Sequence, residues 1–500
     1  MTDGLWLFIF LQMAMGGFDT FYHHELTERL AWRPAQAGEL RLHGVRNLAY
    51  GVAFTTIGWS EPHGAAAIAL IALLIGELGF TLWDFIEEDR TRKLPASERV
   101  THTLLTANYG VILAMLVPLL GEWASLPTAL APTYHWPWSW FCALAAVGVT
   151  LSGLRDLAAA RRMARLIEVD PAPLADALKG RHAVLVTGGT GFIGRRLVAA
   201  LVAAGHDVTV LTRWPRKATE LPAPLTVITS LDQLADNARI DAIVNLAGEP
   251  IAEGLWTPAK RQRILASRLE MTANVMSLIR RLETPPAVLV NGSAIGWYGL
   301  RGAEVVDETA DGRDCFSHVI CLRWEGAALD AIALGVRVVR LRIGLVLAAE
   351  GGLLSRMLTP FELGLGGRFG AGRHWMSWIH RDDLVRLIVH AIATPGLSGP
   401  VNGTAPAPVD NAAFTAALAR ALGRPAILPV PAAPLRLALG AFADELLLGG
   451  QRVVPRAALE SGFRFLYPVI DDALRPIVGG RAIRPAAPPS PAPEVSSPAG

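Results

Sequence analysis

The sequence predicts an α/β chain in two parts. An N-terminal all-α transmembrane bundle of about five spans is followed by a doubly wound parallel sheet with a small C-terminal substrate lobe. Three observations predict it. Apolar stretches near 4–22, 44–60, 64–86, 103–120 and 137–154 fill the first third of the chain. The run "VLVTGGTGFIGRRLVAALVAAGHDVTVLTR", 184–213, then reads as strand, glycine turn, helix and strand. At 500 residues, finally, the chain exceeds what one hydrophobic core usually serves.

Composition bounds the function. The chain is 52% hydrophobic and only 18% charged, with the apolar excess concentrated toward the N-terminus. A net charge of +2 gives no reason to expect nucleic acid or an acidic partner. Cys142, Cys315 and Cys321 form neither a disulfide framework nor a CxxC knuckle, which suits a catalytic half in a reducing compartment.

Each apolar stretch has about 17 to 23 residues, enough at ~1.5 Å per residue to cross ~30 Å of hydrocarbon with a little tilt. The first reads as a retained span rather than a signal peptide: "MTDGLWLFIF" lacks a basic region, and "GGFDTFYHHE" is no cleavage site. Loop charges set the orientation. Arg29, Arg33 and Arg41 follow the first stretch, Arg90, Arg92, Lys93 and Arg99 the third, and Arg155, Arg161, Arg162 and Arg165 the fifth. The connections "SEPHG" and "GEWASLPTALAPTYHW" hold neither Lys nor Arg. The positive-inside rule therefore expects a multi-pass inner-membrane protein with its N-terminus outside and everything after residue 155 cytoplasmic.

Polar residues of these stretches, Asp19, Asn47, Glu77, Asp84 and Asn108, fall in the cytoplasmic halves. Continued as helices, His24 and Glu28, Asp84 and Glu88, and Glu98 and His102 become i,i+4 pairs. Charges inside spans are costly and mark sites, and such pairs on several helices are how bundles hold metals. Two readings stand: pairing with neighbouring arginines, or metal binding by His24, Glu28, Glu77 and Asp84. No complete metal motif is present, so the expectation is no metal.

In "VTGGTGFIG", Gly188, Gly191 and Gly194 follow an apolar strand and open a helix. Glycines there permit the tight turn and let the backbone, through Phe192 and Ile193, approach a pyrophosphate at the helix N-terminus. At the end of the second strand, "VTVLTRWPRKA" offers Thr212 and Arg213 and no acid, which favours NADP(H) over NAD(H).

Further on come "NLAGEPIAEGLWTPAKRQRILASRLEMT", "NGSAIGWYG", "LRIGLVLAAEGGLLSRMLTPFELGLGGRFGAGRHWMSWIHRDDL" and "LGGQRVVP". In these motifs and their order, residues 183–480 resemble the bacterial epimerase family of atypical short-chain dehydrogenase/reductases. The resemblance implies a Rossmann domain over 183–423 and the family's C-terminal domain of unknown function over 424–480. It also places Asn245, Ala247 and Gly248 in the nucleotide crevice, with Glu249 beside them. Arg342 is expected to clamp cofactor or substrate, and Ser293, Tyr298 and His380 are the catalytic candidates.

The relatives' Tyr-x-x-x-Lys pair is missing. Alignment on Glu325 puts Ser317 at the tyrosine and Cys321 at the lysine, and neither can relay the proton. His380 could act as acid and base, or could cap the helix "RDDLVRLIVHAI". The remaining boundaries are a transmembrane domain 1–165, a linker 166–182 and a disordered tail 481–500. The expected activity is hydride transfer on an apolar or membrane-associated small molecule at the bilayer. The alternative is a tethered NADP(H) sensor or scaffold without catalysis.

Overall fold

The computed structural model describes residues 1–92, 94–164 and 170–479, and divides after Val169 into two units. The expected tail, 481–500, lies outside the described residues.

Among the described residues, the first unit has five long helices: α1 (Asp3–Phe18), α2 (Ala37–Trp59), α3 (Ala65–Thr91), α4 (Ala96–Ala124) and α5 (Trp138–Met163). Each expected apolar stretch lies within one of these helices or overlaps it. Four helical segments are long and apolar enough to cross a membrane: residues 3–32, 65–91, 96–124 and 138–163. Among the described residues, four of the five expected stretches thus meet that measure of length and hydropathy. Helix α2 has the length, but Glu39, Arg41, His43, Arg46 and Asn47 crowd its first half.

What α2 lacks in hydropathy it makes up in close packing. Gly44, Gly51 and Gly58 recur every seventh residue and face α5. A Cβ on Gly44 would stand 2.6 Å from Leu157 Cγ, and one on Gly58 2.5 Å from Cys142 Cβ. From the other side, a Cβ on Gly153 would stand 2.9 Å from the Gly44 carbonyl oxygen. The two backbones therefore meet antiparallel through small residues, the packing that apolar surroundings favour.

A short antiparallel pair, β1 (Ser60–His63) with β2 (Ala129–Pro132), closes one end of the bundle. There Trp6 stacks on Trp138 and Trp59 meets Trp140 edge-on. At the opposite end α1 runs into a π-helical segment, Asp19–Glu28, which ends at Arg29 with φ +53°. One expectation is overturned here: His24 and Glu28 do not pair with each other. Asp19 instead meets both His23 and His24, and Glu28 turns to Arg33 at 2.9 Å.

The second unit is the predicted doubly wound sheet. Its seven parallel strands are β3 (Ala183–Thr187), β4 (Asp207–Leu211), β5 (Thr226–Ile228), β6 (Ala242–Asn245), β7 (Val288–Ala294), β8 (Arg337–Ile343) and β9 (Gly399–Gly403). Their order is β9-β8-β7-β6-β3-β4-β5, so the direction of winding reverses between β3 and β6. Nearly continuous apolar strands such as β3 and β6 are buried on both faces, as a parallel sheet requires.

Helix α6 (Phe192–Ala203) buries Leu197, Val198 and Leu201 against that sheet. It stops where Gly205 takes φ +82° and the His206 N–H reaches back to the Leu201 carbonyl. The stretch expected as linker is partly core: Leu174, Ala175 and Leu178 pack with α6 and belong to the second unit. The C-terminal part is likewise no separate layer, since Ala458 and Phe463 join the same core.

Candidate functional site

The crevice opens at the carboxyl ends of β3 and β6, at the reversal point where such sheets bind ligands. The glycines of the β3–α6 turn divide the work. Gly188 has φ +72°, and a Cβ there would press within 2.9 Å of the Leu246 carbonyl carbon. A Cβ on Gly194 would collide with the Gly188 carbonyl, so that residue sets how closely α6 approaches the strand. Gly191 is exposed and has only the Gly188 carbonyl nearby, at 3.1 Å. No side chain caps α6, which leaves the N–H groups of its first turn, at Phe192 and Ile193, directed at the crevice. This cradle fits a pyrophosphate.

Asn245 works through its side chain rather than facing a ligand. Buried at the end of β6, it accepts from Thr187 at 2.7 Å and donates to Thr272 and Asn291 at 3.0 and 2.7 Å. Thr187 in turn accepts from the Ala247 N–H at 3.2 Å. Three strand ends are thereby locked into one floor. Gly248 is exposed, and a Cβ there would meet Arg268 at 2.9 Å. Arg268 donates to the Glu249 carbonyl and lies over Trp324. Glu249 itself is held by Lys260 at 2.7 Å and Arg263 at 3.3 Å, both on α7 (Pro258–Arg281).

At the end of β4, Thr212 is buried and accepts from the Trp214 N–H at 3.2 Å. Arg213 is exposed, with no hydrogen bond or ion pair to any described residue. Asp207, the one acid nearby in sequence, sits at the far end of β4 and pairs with Arg181 at 2.6 Å. The basic side chain, not the acid, stands at the ligand end.

The catalytic candidates meet different surroundings. Ser293, at the end of β7, donates to Glu325 Oε1 at 2.7 Å. Glu325 lies on α8 (Phe316–Leu329) and also receives Arg342 Nε at 2.9 Å, Arg342 Nη2 at 3.1 Å and Arg340 at 3.3 Å. Arg342 is therefore spent inside the sheet, stacked over Trp297 at 4.1 Å, and is not placed as a cofactor clamp. Tyr298 is wholly buried; its hydroxyl donates to Asn402 at 2.7 Å and accepts from Arg342 at 3.1 Å. Burial pushes its pKa up to about 12, so it holds its proton.

His380 takes the capping role. Its Nδ1 accepts the Asp382 N–H at 3.1 Å at the start of α9 (Arg381–Ala393), and its ring lies 4.1 Å from that of Tyr467. Burial pushes its pKa down to about 4. Cys321, at the lysine position, points its thiol at the Ala294 carbonyl, and burial lifts its pKa to about 11. Ser317, at the tyrosine position, donates to Glu445 Oε2 at 2.7 Å. Glu445 also accepts the Phe316 and Ser317 N–H groups and so caps α8 from the C-terminal part of the chain. Sequence reading missed Glu445; the weak thiol cap of α8 in "DCFSHV", where Cys315 accepts from the His318 N–H, was the available signal.

The four metal candidates are not brought together. His24 lies near Asp19 and Glu98, and Asp84 meets Arg46 at 2.8 Å and His43 at 2.9 Å. Glu77 accepts from Thr81 at 2.7 Å, apart from them, and Glu28 is taken by Arg33. Glu39 and His43, an i,i+4 pair at the start of α2, went unread although both are buried beside Glu88.

Comparison with known proteins agrees with this geometry. Residues 184–402 match the NAD dependent epimerase/dehydratase family, and 430–477 match a domain of unknown function, DUF1731. The chain is 44% identical over 303 residues to the chloroplastic SDR39U1 homolog of Arabidopsis thaliana, covering 59% of this chain and 86% of that one. To YfhF of Bacillus subtilis it is 38% identical, covering 60% and 98%. The crystal structure of human epimerase family protein SDR39U1 with NADPH superposes with a TM-score of 0.53 at 36% identity, covering 59% of this chain and 99% of that one. By its glycine turn, its strand order and these relatives, the chain belongs to the epimerase family.

Proposed function

We propose that this is an NADP(H)-binding reductase of the epimerase family. Its N-terminal helices hold it at the cytoplasmic face of the inner membrane, where it passes hydride to an apolar or membrane-associated small molecule. The observation that carries the cofactor choice is Arg213, an exposed guanidinium without an internal partner, two residues past the end of β4. A 2′-phosphate is the partner such a group takes there. That the human relative's structure holds NADPH supports the choice.

Bound NADPH supplies a hydride. The chain's own part is to seat the pyrophosphate on the α6 N-terminus and to stiffen the crevice floor through Asn245. Ser293, Tyr298, Cys321 and His380 are either engaged or held away from neutral pKa values, so the proton for a reduced oxygen comes from solvent water. Membrane attachment rests on the four long apolar helical segments, with Trp6, Trp59, Trp138 and Trp140 toward one end and arginines toward the other.

A second reading, a sensor without turnover, is favoured by one contact: Glu445 occupies Ser317, where the relatives' proton relay would stand. Titration of the purified protein with NADPH and NADH, then incubation with a lipid extract, tests both. Arg213 should make one or two charge-assisted bonds of about 1.5–3 kcal/mol each, so NADPH should bind at least about tenfold more tightly. Arg213→Ala should abolish that margin. Equal binding of both nucleotides by the parent protein would end the NADP(H) assignment, while oxidation of NADPH by the extract separates reductase from sensor. For the membrane, a reporter fused after residue 128 should report outside and one after residue 95 inside. The reverse pattern would overturn the orientation.

A further inference from the structure

The end of the helical bundle opposite β1 and β2 holds a concentration of buried charge that pairing does not resolve. Asp19, Glu39, Asp84, Glu88 and Glu98 are each 4% exposed or less, and the arginines among them are Arg46 and Arg92. Five carboxylates thus face two guanidiniums. The balance lies with the histidines, and their geometry is not that of imidazolium ions. His24 and His43 stack nearly parallel, ring centres 4.6 Å apart. Two cations would repel in that arrangement, so at least one ring is neutral and keeps a lone pair.

Those lone pairs have no hydrogen-bond partner. His24 Nε2, His43 Nε2 and both Glu88 carboxylate oxygens are buried without a hydrogen bond among the described residues, and Arg92 and His102 stand off from Glu88 at 3.5 Å. His43 Nε2 lies only 2.9 Å from Asp84 Oδ2, yet outside hydrogen-bonding geometry. An orphaned buried carboxylate is costly, the more so in a bilayer.

We propose that this cluster is a metal centre for divalent first-row transition ions. One ion is held by Asp19, His24, Glu98 and His102, and a second, adjacent, by Glu39, His43 and Glu88. The candidate donor atoms of each group lie within 4.8 Å of one another. In the first group, His102 Nε2 is 3.1 Å and His24 Nε2 3.5 Å from Asp19 Oδ2, and His24 Nε2 is 3.6 Å from Glu98 Oε1. With ligands at about 2.1 Å from an ion, octahedral and tetrahedral edges measure about 3.0 and 3.4 Å, so the spacing already approaches a coordination shell. The other nitrogen of His102 lies 3.5 Å from Glu88 Oε2 and links the two groups.

Supporting residues are also present. His23 Nδ1 holds the second oxygen of Asp19 at 2.8 Å, and Arg92 grips both Glu39 and Glu98. Imidazole and carboxylate donors without sulfur suit iron, manganese, zinc or cobalt rather than copper(I). The ligands come from α2, α3, α4 and the π-helical turn after α1, so an ion would tie together segments distant in sequence.

The test uses the full chain in detergent, stripped with chelator, reloaded with Co²⁺ and passed through gel filtration. It should retain about one to two ions per chain and show visible d–d bands of an imidazole–carboxylate site. His24→Ala and His102→Ala should each weaken retention at least about tenfold with helical circular dichroism unchanged, while Glu28→Gln should match the parent. Retention below half an ion per chain by the parent protein overturns the proposal without recourse to any variant. So does full loading of both histidine variants.

Discussion

Glu325 in the sheet unit and Glu88 in the helical unit are equally buried, each 1% exposed, and their surroundings could hardly differ more. Glu325 receives four hydrogen bonds, from Ser293, Arg340 and twice from Arg342. Glu88 receives none; its neighbours stand off at 3.5 Å or more. A buried carboxylate whose lone pairs are filled is scaffolding, because nothing is left for a ligand to satisfy. One whose lone pairs are empty has a cost outstanding, and a bound ion is one way to meet it. The same residue type at the same burial thus serves different ends, and the hydrogen-bond census tells them apart.

The sharpest way to break the saturated side is Arg342→Ala. It strips Glu325 of its bidentate partner and leaves the Tyr298 hydroxyl short of a donor, so a loss of about 3–5 kcal/mol is expected. Thermal unfolding of the purified chain would show it. A change under about 1 kcal/mol would mean that Glu325 is not held as described.

Acid should come next. His380 is neutral in the fold, with its pKa pushed down by burial to about 4, against about 6.5 in the unfolded chain. Between those values the unfolded state binds the extra proton, so stability falls as pH drops from about 6.5 to about 4, by about 3 kcal/mol in all. His380→Asn keeps a capping side chain and removes the titration; it should flatten that part of the pH–stability profile. An unchanged profile in the variant would assign the acid sensitivity elsewhere.

The smallest effect concerns backbone approach in the helical unit. Gly153→Ala drives a Cβ into the Gly44 carbonyl and should cost about 1–3 kcal/mol, whereas Gly76→Ala on α3 meets nothing within 4 Å. The second change should be neutral or mildly stabilising, since alanine is the better helix former. Equal effects of the two in detergent would show that the α2–α5 contact is not the tight one.

Much of the sheet unit was legible because its signals are local. The glycine turn, the strand it follows and Arg213 lie within thirty residues, and periodicity alone places them. The roles of Tyr298, Arg342 and His380 were not legible, because each depends on partners outside its own motif: Asn402 for Tyr298, Glu325 and Tyr298 for Arg342, and Tyr467 for His380. In the helical unit the helices could be read from hydropathy, but the charge cluster could only be half read. The expected pair His24 and Glu28 is not made, because the π-helical turn brings His24, five residues on, beside Asp19, and Arg33 takes Glu28. Glu39 and His43 escaped because the charged first turns of α2 precede the apolar stretch read at 44–60.

That weakness of α2 bears on how the protein is made. Its charged side chains are met from α3 and its end, His43 and Arg46 by Asp84 and Glu39 by Arg92, while its glycine face is covered by α5 at Gly44, Gly51 and Gly58. Yet α5 begins at Trp138, and α2 ends at Trp59. At about 5–20 residues per second, the ribosome needs roughly 4–16 s to bridge that interval, during which α2 is without its partner. On the proposed membrane placement, the glycine face of α2 stays open, in the insertion channel or against a chaperone, until α5 arrives. A cysteine pair placed at residues 51 and 150 should accordingly cross-link only in chains long enough to have released α5.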